Sequence, residues 1–131
     1  MDHEAKVRET VLYIEDHLDC RIELADLAKR AHLSKYHYHR LFHKIAGDSV
    51  IRYVSRRRME KAAAELAGTD AAILDIALKY QYGSQESFSR AFKRIYGITP
   101  GQFRRISAKR EPCRTASLSV SFGRQIMDMA A

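Results

Sequence analysis

The sequence predicts an all-α protein of about seven helices, arranged as two helix-turn-helix subdomains joined by a long linker helix. Three observations predict it. Two prolines and six glycines in 131 residues, against many Ala, Leu, Arg and Glu, favour helix over sheet. Apolar residues recur at i, i+3, i+4 and i+7 rather than in alternation. An internal repeat then shows the same short plan twice. At an offset of 50, Arg40-Leu41-Phe42-His43-Lys44-Ile45-Ala46-Gly47 falls on Arg90-Ala91-Phe92-Lys93-Arg94-Ile95-Tyr96-Gly97. Upstream the offset is 49, and Leu24, Leu27, Ala28 and Leu33 fall on Ile73, Ile76, Ala77 and Tyr82. The single extra residue sits between Tyr82 and Ser84, where a turn absorbs it. Each copy is a short helix, a tight turn and a longer helix.

In chain order, Val7, Val11, Ile14 and Leu18 repeat at helical spacing and predict a helix over about 4–18. A second spans about 24–31. Ser34 supplies an N-cap hydroxyl for a third over 35–46, which Gly47 ends as a left-handed C′ residue. Ser49 opens the linker helix, about 49–67, whose buried side is Val50, Tyr53, Val54, Ala62, Ala63 and Leu66. Gly68 closes it, and Asp70 is expected to cap the next helix, 71–79. Ser84 and Gly97 bound the helix over 85–96 as Ser34 and Gly47 bound its counterpart. Thr99-Pro100-Gly101-Gln102 reads as an N-cap, a proline at the first helical position and the glutamine of a capping box, opening a helix over 100–107. The chain thus divides into a first subdomain (1–48), the linker helix (49–67), a second subdomain (68–110) and a tail (111–131). Within the tail Ser117-Leu118-Ser119-Val120-Ser121-Phe122 alternates as a strand does, and is expected to be a floppy end, an edge added to a partner, or the start of a truncated effector domain.

Composition narrows the function. The 46% hydrophobic and 30% charged fractions are those of an ordinary folded domain. No run approaches the ~18 apolar residues of a membrane span, and Met1-Asp2-His3-Glu4 does not open a signal peptide. Cys20 and Cys113 form neither a disulfide framework nor a metal spacing, which points to a reducing, cytoplasmic setting. No nucleophile–base arrangement or phosphate-cradling glycine loop appears, so an enzyme is not expected, nor any cofactor. The net charge of +7 is concentrated in two blocks. Residues 32–60 hold seven basic against two acidic side chains and residues 84–110 hold seven against one, separated by a slightly acidic spacer. Two electropositive footprints on one small protein suit a polyanion contacted twice.

The second helix of each copy can be divided by face. Tyr38, Leu41, Phe42 and Ile45, and at the same offset Phe88, Ala91, Phe92 and Ile95, form apolar stripes assigned to the core. The opposite faces carry Tyr36, His39, Arg40 and His43 in one copy and Glu86, Ser89, Arg90 and Lys93 in the other. A helix fits the major groove with its early residues at base edges. Arg40 and Arg90 suit guanine O6 and N7, Gln85 an adenine, Tyr36 a thymine methyl and Glu86 the N4 amine of cytosine; His39 and Ser89 are short polar readers. Lys35, His43, Lys44, Arg56, Lys93 and Arg94 are assigned to phosphates, as is the rest of the run Arg56-Arg57-Arg58, at least one of which is open to a role in holding the two lobes together. Arg104, Arg105, Lys109 and Arg110 suit either purpose. His37, His39 and His43 invite a metal reading, and His39 and His43, spaced i, i+4, have a zinc-chelating geometry, but no carboxylate or thiol accompanies them, so no metal site is assigned.

These residues resemble the AraC/XylS family of bacterial regulators over about Leu24 to Arg105. The resemblance rests on Leu24-Ala25-Asp26-Leu27-Ala28, Leu33-Ser34, Arg40-Leu41-Phe42, Gly47, Tyr53 and Arg57. More specific are Ile76-Ala77, Ser87-Phe88-Ser89-Arg90-Ala91-Phe92-Lys93 and Gly97-Ile98-Thr99-Pro100-Gly101-Gln102-Phe103-Arg104. Ser84-Gln85-Glu86-Ser87-Phe88-Ser89-Arg90 is similar to the stand-alone members that control multidrug and superoxide responses. The resemblance implies two recognition helices in successive major-groove segments on one face of double-stranded DNA, with base-contacting positions at Tyr36, His39 and Arg40 and at Gln85, Glu86, Ser89 and Arg90. The half-elements of such a site lie about one helical turn, ~34 Å, apart. A transcription activator is expected, with RNA polymerase as a further partner and a monomer as a plausible state of this fragment. The rival class is a protein-interaction module that binds transcription machinery without reading DNA. The sequence departs from the family where Gln81-Tyr82 stand in place of Gly-Phe, which leaves a differently built second turn open. Glu86 is also unusual toward a polyanion, unless it pairs with Arg90 four residues on.

Overall fold

A computed structural model describes residues 2–108, which form seven α-helices and no strand. They are α1 (His3–Asp16), α2 (Leu24–Arg30), α3 (Lys35–Ala46), α4 (Val50–Gly68), α5 (Ile73–Lys79), α6 (Gln85–Tyr96) and α7 (Pro100–Ala108). The two compact units divide inside α4, between Arg57 and Arg58. The alternating segment 117–122, Lys109, Arg110 and Cys113 lie outside the described residues. No described helix is long and apolar enough to cross a membrane.

In the first unit α3 packs on α1 and α2. Val7, Val11 and Ile14 come from one side of α1, Leu27 and Ala28 from α2, and Tyr38 and Phe42 from α3; all are buried. Phe42 meets both Tyr38 and, from α4, Tyr53, with ring centroids 5.9 and 5.6 Å apart. The Tyr38 hydroxyl lies 2.8 Å from Thr10 Oγ1, so this buried phenol is satisfied. Burial pushes its pKa up to about 12, the Thr10 hydrogen bond acting the other way.

The second unit repeats the plan, α6 packing on α5 and α7. Ile76, Ala77, Phe88 and Phe92 are buried, and Phe92 is surrounded by Phe88, Tyr96 and Phe103 at 5.9, 4.5 and 5.3 Å. That aromatic cluster corrects one expectation. Ile95 was assigned to the core but is 55% exposed, because Tyr96 and Phe103 already cover Phe92 where the stripe would have placed it.

The caps follow the sequence at most junctions. Ser34 Oγ accepts from the His37 N–H and Ser84 Oγ from the Ser87 N–H, both at 3.1 Å. Gly47 and Gly97 end α3 and α6 at φ +77° and +81°, where a side chain would be strained. Thr99 and Gln102 bond each other's backbone N–H reciprocally, at 3.0 and 3.2 Å. Asp70 does not cap α5, which starts at Ile73 with Ala72 as N-cap. The Thr69 hydroxyl organises that turn instead, donating to Glu65 O and accepting from the Ala71 N–H.

The two helix-turn-helix turns have one construction. After α2, the Leu33 N–H bonds Ala28 O and the His32 N–H bonds Lys29 O, each at 3.0 Å, with His32 left-handed at φ +58°. After α5, the Tyr82 N–H bonds Ala77 O at 3.0 Å and the Gln81 N–H bonds Leu78 O at 3.1 Å, with Gln81 at φ +71°. Both are Schellman turns. The open question about the second turn therefore closes: Gln81 takes the conformation expected of glycine, and Gly83 is the added residue that follows.

Candidate nucleic-acid interface

Because Tyr38 and Phe42 anchor α3 and Phe88 and Phe92 anchor α6, each helix is locked in rotation. The residues on the opposite side must then face solvent. On α3, Lys35, Tyr36, His37, His39, Arg40, His43 and Lys44 are all exposed, Tyr36 to 71%. On α6, Gln85, Glu86, Arg90, Lys93 and Arg94 are exposed and Ser89 is half-buried. Each unit therefore gathers its expected base-reading residues on one exposed helical face, in the same register.

The faces differ in detail. On α3 the Arg40 guanidinium carbon lies 5.6 Å from the Tyr36 ring centroid, one turn away. Tyr36, His37, Arg40, Leu41 and Lys44 line a shallow open groove along the helix. Lys44 Nζ is 3.6 Å from Glu4 of α1, an exposed pair that leaves the lysine solvated. On α6, Glu86 has no ion-pair or hydrogen-bond partner among the described residues, so the suggested pairing with Arg90 is not made. The first face has no acid of its own. The second carries one, unneutralised.

The linker arginines separate by burial. Arg56 is paired with Asp48 at 3.3 Å, so a phosphate would compete with that carboxylate. Arg57 is not a phosphate contact. It is 5% exposed and donates from Nε and Nη2 to the two oxygens of Glu15, both at 2.8 Å, while the Tyr53 hydroxyl donates to the same carboxylate at 2.6 Å. Arg57 is structural within the first unit, where it ties α1 to α4, a role other than the joining of lobes expected of the run. The signal was in the sequence: Arg57 follows Tyr53 by four residues, on the side of α4 already assigned to the core. Arg104 is likewise structural, donating from Nε to Leu66 O at 3.0 Å and from Nη2 to Thr69 O at 3.2 Å, where the carbonyls at the end of α4 lack helical partners. Arg105 remains exposed.

Two residues of the surface were passed over. His37 entered only through the metal idea, yet it borders the groove and meets His3 of α1 edge to face at 5.8 Å. Arg52 is an exposed cation one turn before Arg56. Among the described residues no three His, Cys, Asp or Glu side chains gather as a metal-ligand set.

Residues 27–106 match a family described as "Helix-turn-helix domain". The HTH-type transcriptional regulator YbfP of Bacillus subtilis is 44% identical over 115 residues, which are 85% of this chain but only 39% of YbfP. The HTH-type transcriptional activator AarP of Providencia stuartii is 42% identical over 98 residues, 75% of this chain and 73% of AarP. Among solved structures, the DNA-binding domain of the transcription factor AdpA, in complex with a target DNA, superposes with a TM-score of 0.76 at 23% identity, over 82% of this chain and 96% of that one.

Proposed function

We propose that this chain, which belongs to the AraC/XylS-type helix-turn-helix family, is a sequence-specific transcription regulator that reads double-stranded DNA with α3 and α6. One observation carries the reading. Arg40 and Arg90 stand at the same position of two equivalent helices, each exposed, each on a helix entered through a Schellman turn and a serine cap. A guanidinium so placed offers two parallel donors to guanine O6 and N7 in the major groove. Tyr36 and His39 flank Arg40, and Gln85, Glu86 and Ser89 flank Arg90, as further base readers. Lys35, His43, Lys44, Lys93 and Arg94 hold phosphates, and Arg56 does so by giving up Asp48. The setting is the cytoplasm, and the regulation is activation, as the name of AarP suggests, with RNA polymerase as the protein partner.

Selection of bound duplexes from a random pool, followed by gel shifts against random competitor, tests this. Arg40→Ala and Arg90→Ala should each weaken binding to the selected site by about 1–3 kcal/mol and relax preference at one base. Lys44→Ala should weaken all sequences alike and lower the salt slope. The acid-free α3 face is expected to anchor the complex and α6 to discriminate, so a larger loss for Arg90→Ala than for Arg40→Ala reverses that ordering. Binding without discrimination would instead favour a protein-interaction module.

A further inference from the structure

We infer that protons regulate DNA binding through α3: His39 and His43 take up protons as the helix enters the groove, so affinity rises as pH falls. The inference rests on the DNA-reading function proposed above. All six histidines lie between positions 3 and 43, and none in the second unit. Three of them, His37, His39 and His43, are exposed on α3. Register makes the contrast sharp. At the offset of 50, His37 and His39 correspond to Ser87 and Ser89, and His43 corresponds to Lys93, a permanent cation. Where α6 carries the fixed charge of Lys93, α3 carries the imidazole of His43.

The surroundings leave those imidazoles available. His39 and His43 have no hydrogen-bond or ion-pair partner among the described residues. From α1, His3 meets His37, and Glu4 lies between Lys44 and Arg8. From α2, Arg30 turns onto the Tyr13 ring, while Asp26 and Lys29 are exposed. Leading into α4, Asp48 is taken by Arg56. No carboxylate is thus paired with His39 or His43 among the described residues. A DNA phosphate beside His43, or an acceptor base edge met by His39, would favour imidazolium, because an adjacent anion or an accepting partner stabilises the charged ring. Histidine's ordinary pKa of about 6.5 puts this gain near neutrality. By linkage, if DNA favours the protonated ring, protonation strengthens DNA binding by the same factor.

Affinity for a site selected from a random pool, measured by fluorescence anisotropy at constant ionic strength between about pH 6 and about pH 8, tests this. The unmodified chain should bind roughly tenfold more tightly at the acid end. His39→Gln combined with His43→Gln should weaken acid-end binding and flatten the profile. His43→Lys should move the alkaline-end affinity toward the acid-end value of the unmodified chain. His17→Gln, which removes a ring bonded to Tyr13 O away from the α3 face, should keep the full profile. A flat profile in the unmodified chain, with discrimination against random competitor intact, overturns the proton coupling alone, as does a full profile in the double variant. Loss of discrimination at every pH overturns the DNA-reading function itself.

Discussion

The two units reach nearly the same helix-turn-helix geometry but pin it to α4 by different chemistry. In the first, a carboxylate from α1 is clasped by α4: Glu15 takes two hydrogen bonds from Arg57 and one from Tyr53, with the Arg57 and Glu15 side chains only 6% and 17% exposed. In the second, the carboxylate belongs to α4 itself. Glu65 meets Lys79 Nζ at 3.1 Å and the hydroxyl of Tyr80, the C-cap of α5, with Lys79 nearly half exposed, while Arg104 of α7 caps the end of α4. A desolvated bidentate pair depends on both partners, since removing one strands a buried charge. A solvated lysine pair does not. The Arg57–Glu15 clasp of the first unit is therefore a buried charge pair, whereas the Glu65–Lys79 pair of the second stays partly solvated.

The largest test of that difference is Arg57→Ala, which should cost about 3–5 kcal/mol in denaturant unfolding by stranding Glu15. Lys79→Ala should cost less than about 1 kcal/mol. Similar losses for the two variants would erase the distinction between the buried clasp and the solvated pair.

Next in size is an alkaline effect led by the first unit. Tyr38 corresponds to Phe88, so of the pair α3 and α6 only α3 carries a fully buried phenol. The unfolded chain ionises this tyrosine near pH 10 and the folded chain near 12, so the unfolded state loses its proton first. Stability contributed below pH 10 is lost as pH climbs through that window, by at most about 2–3 kcal/mol. Tyr82, raised by burial against the opposing charges of Arg58 and Arg94, adds a contribution of the same sign from the second unit. Tyr38→Phe, melted across the same pH range, should remove most of the alkaline loss. Unchanged alkaline sensitivity would assign it elsewhere.

The smallest effect concerns what the units share. His32 and Gln81 both sit left-handed at the C′ position of a Schellman turn, which costs a side-chain-bearing residue about 1–2 kcal/mol. Glycine removes that cost while adding unfolded-state entropy. His32→Gly and Gln81→Gly should therefore each stabilise by roughly 0.5–1 kcal/mol, visible as a raised Tm. Destabilisation by one of them alone would show that the two turns are not equivalent.

Much of this protein was legible in the residues themselves. The 50-residue repeat, the serine caps and the glycine stops place α3 and α6 at their observed bounds, because caps and φ > 0 positions are local chemistry. The apolar stripe fixes the rotation of each recognition helix, and that in turn decides which residues face outward. Local chemistry reached its limit where two residues of one type have different fates. Arg56, Arg57 and Arg58 are adjacent, yet only packing against α1 makes Arg57 the partner of Glu15, 42 positions away. Ile95 fits the stripe by periodicity, but Tyr96 and Phe103 fill the space it would have taken. Gln81 does a glycine's work because the hydrogen bonds to Ala77 and Leu78, made only when α5 ends and α6 begins, hold its backbone left-handed. The sequence by itself determined the helices, their order and their outward faces, since these depend on neighbours within a turn or two. Only the tertiary structure decided which charges are structural and which remain exposed, since burial and long-range pairing set the energy of a charge.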